Sequence, residues 1–381
     1  MRGSGLGWIR IGSTSPLVTR SEATGFRFLR CCLMTVLAFG AVVSGWVDVA
    51  QCAAADEEQI SVPPAEPSRH HEIYLRGSGV QRGQRLLGTI DDIPGDAVIF
   101  RTVAGNRERL RIEEIAELRF SRSPQWERGL VLRETGDLAG ALSSFRAAMG
   151  VEDRPWALRE LRGMVAGVLR EQGEFSECVE VVQRILDSDP DSRHVIELPL
   201  VWDEQVPASR RMAVQAADLE ASSALRRLLA ASSLLGTSDY RGACVVELRQ
   251  QMLGARGTLK QLAEVQTWRC QLHEGAELTV FQVDRWQERS QEFARPVRAV
   301  AALVVAQADL LLHRDDRALE GLLWCGLVGA ADAATTVTAL NRAQEVMDRT
   351  GRTAGAAVIG RELRRLQPKT GKGHQIAPQP E

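Results

Sequence analysis

The chain has 381 residues, 44% of them hydrophobic, 5% aromatic and 25% charged, with a formal charge of −2. That excludes a disordered polymer and leaves room for about two or three folded units, while the low Cys count and aperiodic Gly exclude disulfide-scaffold and collagenous classes. Near-neutral charge gives no whole-chain attraction to nucleic acid or anionic lipid, since either needs clustered positive charge.

Residues 1–30 carry Arg2, Arg10, Arg20, Arg27 and Arg30 against a single carboxylate, Glu22, and an apolar run follows at 31–47. Ala53, Ala54 and Ala55 then precede Asp56. This order of parts predicts a secretory signal over 1–55, cleaved after Ala55. The expected destination is the periplasm. The alternative is an uncleaved anchor in the inner membrane through 31–47, a run shorter than the roughly 20 residues of a comfortable span. A lipid on Cys52 is disfavoured by the bulky Gln51 before it. Without the leader four cysteines remain, Cys178, Cys244, Cys270 and Cys325. They are widely spaced, with no C-x-x-C pair, and fall in helical patterns that suit small buried apolar groups, although an oxidising compartment would permit disulfides.

Residues 56–70 are polar and Pro-rich and read as a linker. From 71 to 121 short β-prone runs alternate with Gly- and Asp-containing turns, which predicts about five strands in a small barrel-like module. Its order, an apolar strand, Gly88-Thr89-Ile90, an Asp-rich turn, Val98-Ile99-Phe100, a turn with Gly105, then Ile112 to Ile115, resembles the SH3-like or Sm-like modules that precede helical repeats in some exported bacterial proteins. Some such modules bind RNA. Here Arg82, Arg85, Arg107, Arg109 and Arg111 alternate with Asp91, Asp92, Glu108, Glu113 and Glu114, the balance of a solvated surface.

Beyond Pro124 the period changes from two to 3.6, and nearly every segment reads as an amphipathic helix. In 122–190, Gly129, Gly136, Ala141, Phe145 and Ala148 make one unit, and Ala166, Gly173, Cys178, Val182 and Pro190 make a second. These units resemble tetratricopeptide (TPR) repeats, with small residues where paired helices cross and Gly at the turn between them. Gly136 and Gly173 are 37 residues apart, and His313 and Gly351 are 38 apart, against about 34 in the standard repeat. Ala306, Ala318 and Leu322 mark a further unit around His313, and Ala356, Leu363 and Pro368 another after Gly351. A degenerate unit holds Ala231, Tyr240 and Ala243, while 258–272 and 277–293 are helical without the signature. The connector 191–209 carries Pro199 and Pro207 around an apolar 196–202, which predicts an extended segment packed across the helices and dividing the array into two lobes. Residues 210–367 continue as diverged repeats, and 368–381 form a tail. The fold class predicted is therefore mainly α, a TPR-like α-solenoid of helical hairpins behind a small β-barrel-like module.

Catalytic patterns are missing from the sequence. Gly77-Ser78-Gly79 with Gly83 is one residue too long for G-x-G-x-x-G, Gly371-Lys372-Gly373 lacks the rest of a phosphate loop, and the six histidines are scattered. No catalytic residue, cofactor or metal is expected, and the chain is read as a non-enzyme. The TPR resemblance implies a protein partner held along a face formed by the first helix of each pair. Register with Gly136 and Gly173 places Trp126, Arg133, Glu134, Arg170 and Glu171 there, and the last unit adds Asn341, Glu345 and Arg349. Trp and Arg suit binding hot spots, while the opposing reading packs Trp126 against the β module and leaves the charges as solvated helix faces. The function expected is an exported scaffold for protein–protein interaction in the cell envelope. Nucleic acid is not an expected partner, and a membrane is one only if 31–47 is retained. The alternatives are an exported enzyme or small-ligand binder with a cleft between the β module and the first helices, and a membrane-anchored structural subunit.

Overall fold

The computed structural model describes residues 6–9, 71–76, 83–203, 216–273, 277–329 and 332–366. The expected cleavage site, the anchor, the linker 56–70 and the tail 368–381 lie outside the described residues. Among the described residues no helix is long and apolar enough to cross a membrane.

Strands β1 (Leu6–Ile9), β2 (His71–Leu75), β3 (Arg85–Asp92), β4 (Ala97–Thr102), β5 (Arg107–Arg111) and β6 (Ile115–Ser121) make one antiparallel sheet in the order β1-β6-β2-β3-β4-β5. The five strands between His71 and Ser121 are the predicted β module, and its last strand lies beside its first, with Ile73 opposite Leu118. Period-two alternation buries Ile73, Ile90, Val98, Phe100, Leu118 and Phe120 on one side. Register breaks at Tyr74/Leu75 and Ile90/Asp92 bend β2 and β3. Gly88 is required there, because a β-carbon would strike the Arg101 carbonyl on β4. The β5 edge exposes Arg107, Arg109 and Arg111, and such a charged edge resists pairing with other strands.

The helices are α1 (Pro124–Glu134), α2 (Leu138–Met149), α3 (Pro155–Gln172), α4 (Phe175–Ser188), α5 (Ala224–Leu234), α6 (Ser238–Gly254), α7 (Gly257–His273), α8 (Val280–Ser290), α9 (Arg295–Leu311), α10 (Asp315–Leu323), α11 (Ala333–Arg349) and α12 (Thr353–Leu366). Consecutive helices pack as pairs, α1 with α2, α3 with α4, α5 with α6, α9 with α10 and α11 with α12.

Four of these pairs close in one way. Gly136, Gly173, His313 and Gly351 take left-handed φ values of 85°, 83°, 57° and 73°, and among the described residues His313 alone does so without being glycine. The following N–H then reaches back to a carbonyl of the first helix: Asp137 to Leu132 (2.8 Å), Glu174 to Leu169 (2.9 Å), Arg314 to Asp309 (2.8 Å) and Arg352 to Met347 (2.7 Å). This satisfies carbonyls that a helix end otherwise leaves open. The match between His313 and Gly351 in the sequence is thus a shared backbone conformation rather than a shared residue. Ala141, Cys178, Ala318 and Ala356 follow these turns at the same spacing and are all buried. In the first pair the reason for small residues is explicit, since a β-carbon on Gly129 would come within 2.6 Å of the Phe145 ring.

Cys178, Cys244, Cys270 and Cys325 are buried, and none of the four is in a disulfide. Burial pushes the Cys178 and Cys325 thiols up to about 12 and Cys244 to about 11. Because the thiolate is the reactive form, the native chain from Asp56 onward is expected to react negligibly with a thiol reagent near neutral pH and to yield all four thiols in denaturant. A fast native reaction would place one of them at the surface.

Candidate functional site

The eight residues expected along one face separate in the structure. Ser123 caps α1 by accepting from the Trp126 N–H (3.3 Å), and Pro124 starts the helix. That cap turns the Trp126 ring back onto the sheet, fully buried against Phe120 at 5.5 Å between centroids, with the Arg122 guanidinium 5.7 Å from the ring. Trp126 is therefore a junction residue, which corrects its placement on an open groove. Trp156 completes the junction, 5.0 Å from Phe120 and 5.8 Å from His71. These rings pack between the sheet and the first helices, where a ligand cleft was an alternative.

Arg133 and Glu171 do meet, 2.5 Å apart across α1 and α3, each about one-third exposed, a setting in which an ion pair adds little stability. Glu134, Asn341 and Glu345 are exposed, and Arg349 pairs with Asp315 of α10 at 2.6 Å. Arg170 is turned inward, 3.1 Å from Glu197 and 3.8 Å from Asp332. Burial opposes its charge, but these carboxylates outweigh that and raise its pKa. Among the described residues no hydrogen bond or ion pair joins the residues of the first two units to Asn341, Glu345 or Arg349.

Arg170 instead grips the connector. Residues 193–203 pass along α3, α5, α7, α9 and α11. Arg193–Glu197 is a 3-10 turn rather than extended chain, and 198–203 has no regular structure. A buried backbone outside helix and sheet must find other partners, and side chains supply them. Arg170 of α3 donates to the Ile196 carbonyl (3.2 Å). Ser232 of α5 accepts the Val201 N–H (2.9 Å), and Gln266 of α7 donates to the Val201 carbonyl (2.9 Å). Gln307 of α9 donates to the Trp202 carbonyl (3.2 Å). Arg342 of α11 holds both carboxylate oxygens of Asp203 at 2.8 Å, a bond that raises its own pKa against burial. Every odd-numbered helix from α3 to α11 thus contributes to one line of contacts. Trp202 and Asp203 are buried beneath it.

The start of this segment is fixed differently. Glu160 of α3 is buried, pairs with Arg193, and lies 3.2 Å from His194 Nε2. Burial would raise its pKa, but Arg193, His194 and Arg159 overcome this and hold it at about 2. Gly163, one turn on, leaves room for the His194 ring, which a β-carbon would strike. The neighbouring Arg159 pairs with Asp92 of β3, and the Gly95 N–H donates to Asp189 at 2.9 Å. One end of α3 therefore fastens both the sheet and the connector.

A second feature lies between α7 and α8, in helices that carry no repeat signature. Trp268 stacks on Trp286 at 5.5 Å and 8°, and on Phe293 at 5.5 Å. Phe281 stands 72% exposed beside them, with Arg285 at 5.9 Å from its ring. Glu264 and Arg289, 3.0 Å apart, close one side of this open hollow of about 440 Å³. It offers an apolar ledge with a cationic rim.

The connector grip was not foreseen, although Gln307 interrupting the apolar run 299–306 was a visible sign of a buried polar partner. Its chemistry is that of peptide recognition: donors for carbonyls, an acceptor for an amide and a forked guanidinium for a carboxylate. Among the described residues no group of three or more His, Cys, Asp or Glu could hold a metal ion. No protein-family model matches the chain, and no curated protein matches it significantly.

Proposed function

We propose that the protein is an exported, non-enzymatic scaffold of the cell envelope, a TPR-like α-solenoid behind an SH3-like or Sm-like β module, and that it holds a protein partner. The observation that carries this reading is the single left-handed turn shared by four helix pairs, each followed by a small buried residue at the crossing. Repeated hairpins of one design generate a long surface suited to another chain. The strand order of the β module, last beside first with the 3-10 turn Ile112–Glu114 before the last strand, supports its resemblance. Export rests on the sequence of residues 1–55.

The test is photo-crosslinking in the native envelope from Glu134, Asn341 and Glu345, which are exposed. A discrete protein adduct is expected from at least one position, together with a mature N-terminus at Asp56. Glu134→Arg combined with Glu345→Arg should remove the adduct while the circular dichroism spectrum stays unchanged. Absence of any adduct, with the protein extracted alone, overturns the reading.

A further inference from the structure

We propose that the side chains gripping residues 200–203 form a binding site for an extended peptide in which an aromatic residue is followed by a carboxylate, and that the chain's own Leu200-Val201-Trp202-Asp203 fills this site until a partner's segment replaces it. The proposal rests on the scaffold reading and names the segment through which a partner is recognised.

The connector has two unlike halves. Residues 193–198 belong to the core: Val195 and Leu198 are buried, and Arg193 and His194, with Arg159 of α3, keep the buried Glu160 charged. Residues 200–203 are held through the backbone of Val201 and Trp202 and through two side chains. Ser232 and Gln266 bond the two polar groups of Val201, and Gln307 bonds the Trp202 carbonyl. Leu200 and Val201 are only half-buried. The side chains that are read are the Trp202 ring and the Asp203 carboxylate, the latter by both arms of Arg342. Any peptide presenting the same two side chains in extended form satisfies every one of these contacts, so exchange conserves the number of bonds.

The boundary between the halves is also built for separation. Pro199 has no N–H to lose and a fixed φ, and the Leu200 N–H bonds the Leu198 carbonyl (2.8 Å), a turn that ends on the first of the gripped residues. The site cannot simply stand empty. Ser232 and Gln266 are fully buried, and emptying the site would leave the Ser232 hydroxyl and the Gln266 amide N–H without the partners they find on Val201, a costly state for buried polar groups. The occupant must therefore carry a backbone, which selects a peptide over a small anion. The tethered segment competes at an effective concentration on the order of millimolar.

The test uses the full chain and a fluorescein-labelled peptide Leu-Pro-Leu-Val-Trp-Asp, followed by fluorescence anisotropy. With the resident segment weakened by Trp202→Ala and Asp203→Asn, binding is expected to tighten by at least about tenfold over the unaltered chain. Adding Arg342→Gln should remove that gain, as should an Asn-for-Asp peptide. Comparing amidated with free-acid peptides separates side-chain from chain-terminal carboxylate recognition. A folded, weakened variant with no saturable binding up to about 1 mM peptide overturns the proposal. If that variant does not fold, amide exchange at Val201 in the unaltered chain decides: peptide should accelerate it, and an unchanged rate overturns the proposal. Crosslinked adducts that persist without peptide binding sink this inference alone, whereas loss of both sinks the scaffold reading with it.

Discussion

Glu160→Gln is expected to lower stability at neutral pH by about 3 to 5 kcal/mol, the range seen when one partner of a buried ion pair is removed. Glu160 sits on α3 between Arg193, His194 and Arg159, and its pKa is held at about 2 against an ordinary value of 4.5. The sign follows from that depression. The folded state holds the carboxylate charged where the unfolded chain has begun to take up protons, so its contribution is complete above about pH 4.5 and disappears as the pH falls towards 2. A difference of this size is on the order of 3 kcal/mol. Urea unfolding at neutral pH and near pH 3 checks both parts: the native chain should lose much of its midpoint on acidification, and the Gln variant should lose less. Glu152 leaves the variant a residual slope, because burial opposes its charge but Arg154 still holds its pKa down. Equal acid sensitivity in the two proteins would mean that the Glu160 charge does not fasten the connector.

How far the sequence could be read depended on the range of the interactions involved. The helix-pair turns were legible because their cause is local: a left-handed residue, then a small residue at the crossing. Even the departure at His313 was recovered by spacing, since His is one of the few side chains that enter this region with modest cost. Trp126 was harder. Its position in the first turn of α1 fitted either a groove or a junction, and the short link after Phe120 was what folded the ring back onto the sheet. Arg170 and Glu171 show the limit of register alone, because adjacent helical residues point about 100° apart and one faces the connector while the other meets Arg133. The packing of 191–209 across the helices was anticipated for residues 193–203, although its opening turn was not. The grip itself was not readable. Gln266, Gln307 and Arg342 reach partners 65, 105 and 139 positions away, and nothing local to each residue encodes that distance.

Trp126→Ala is the substitution that separates architecture from recognition, and it is expected to cost about 3 to 5 kcal/mol, as removal of a large buried aromatic does. The ring is fully buried and its edge meets Phe120, which also meets Trp156 of α3, so the cavity would open where β6, α1 and α3 converge. The adjoining Arg122 guanidinium lies 4.9 Å from the Phe120 ring, where burial already lowers its pKa to about 10. Losing the indole beside it loosens the wall that keeps water from that charge. Trp126→Phe provides the contrast. The indole N–H has no acceptor among the described residues, so a phenyl ring gives up area without giving up a hydrogen bond and should cost much less than alanine. Urea unfolding followed by circular dichroism ranks the three proteins, and crosslinking from Glu134, Asn341 and Glu345 measures partner capture per folded molecule. A junction residue shifts the first measurement and leaves the second unchanged. If capture falls in Trp126→Phe while stability holds, the indole contacts the partner after all and the open-groove placement is restored.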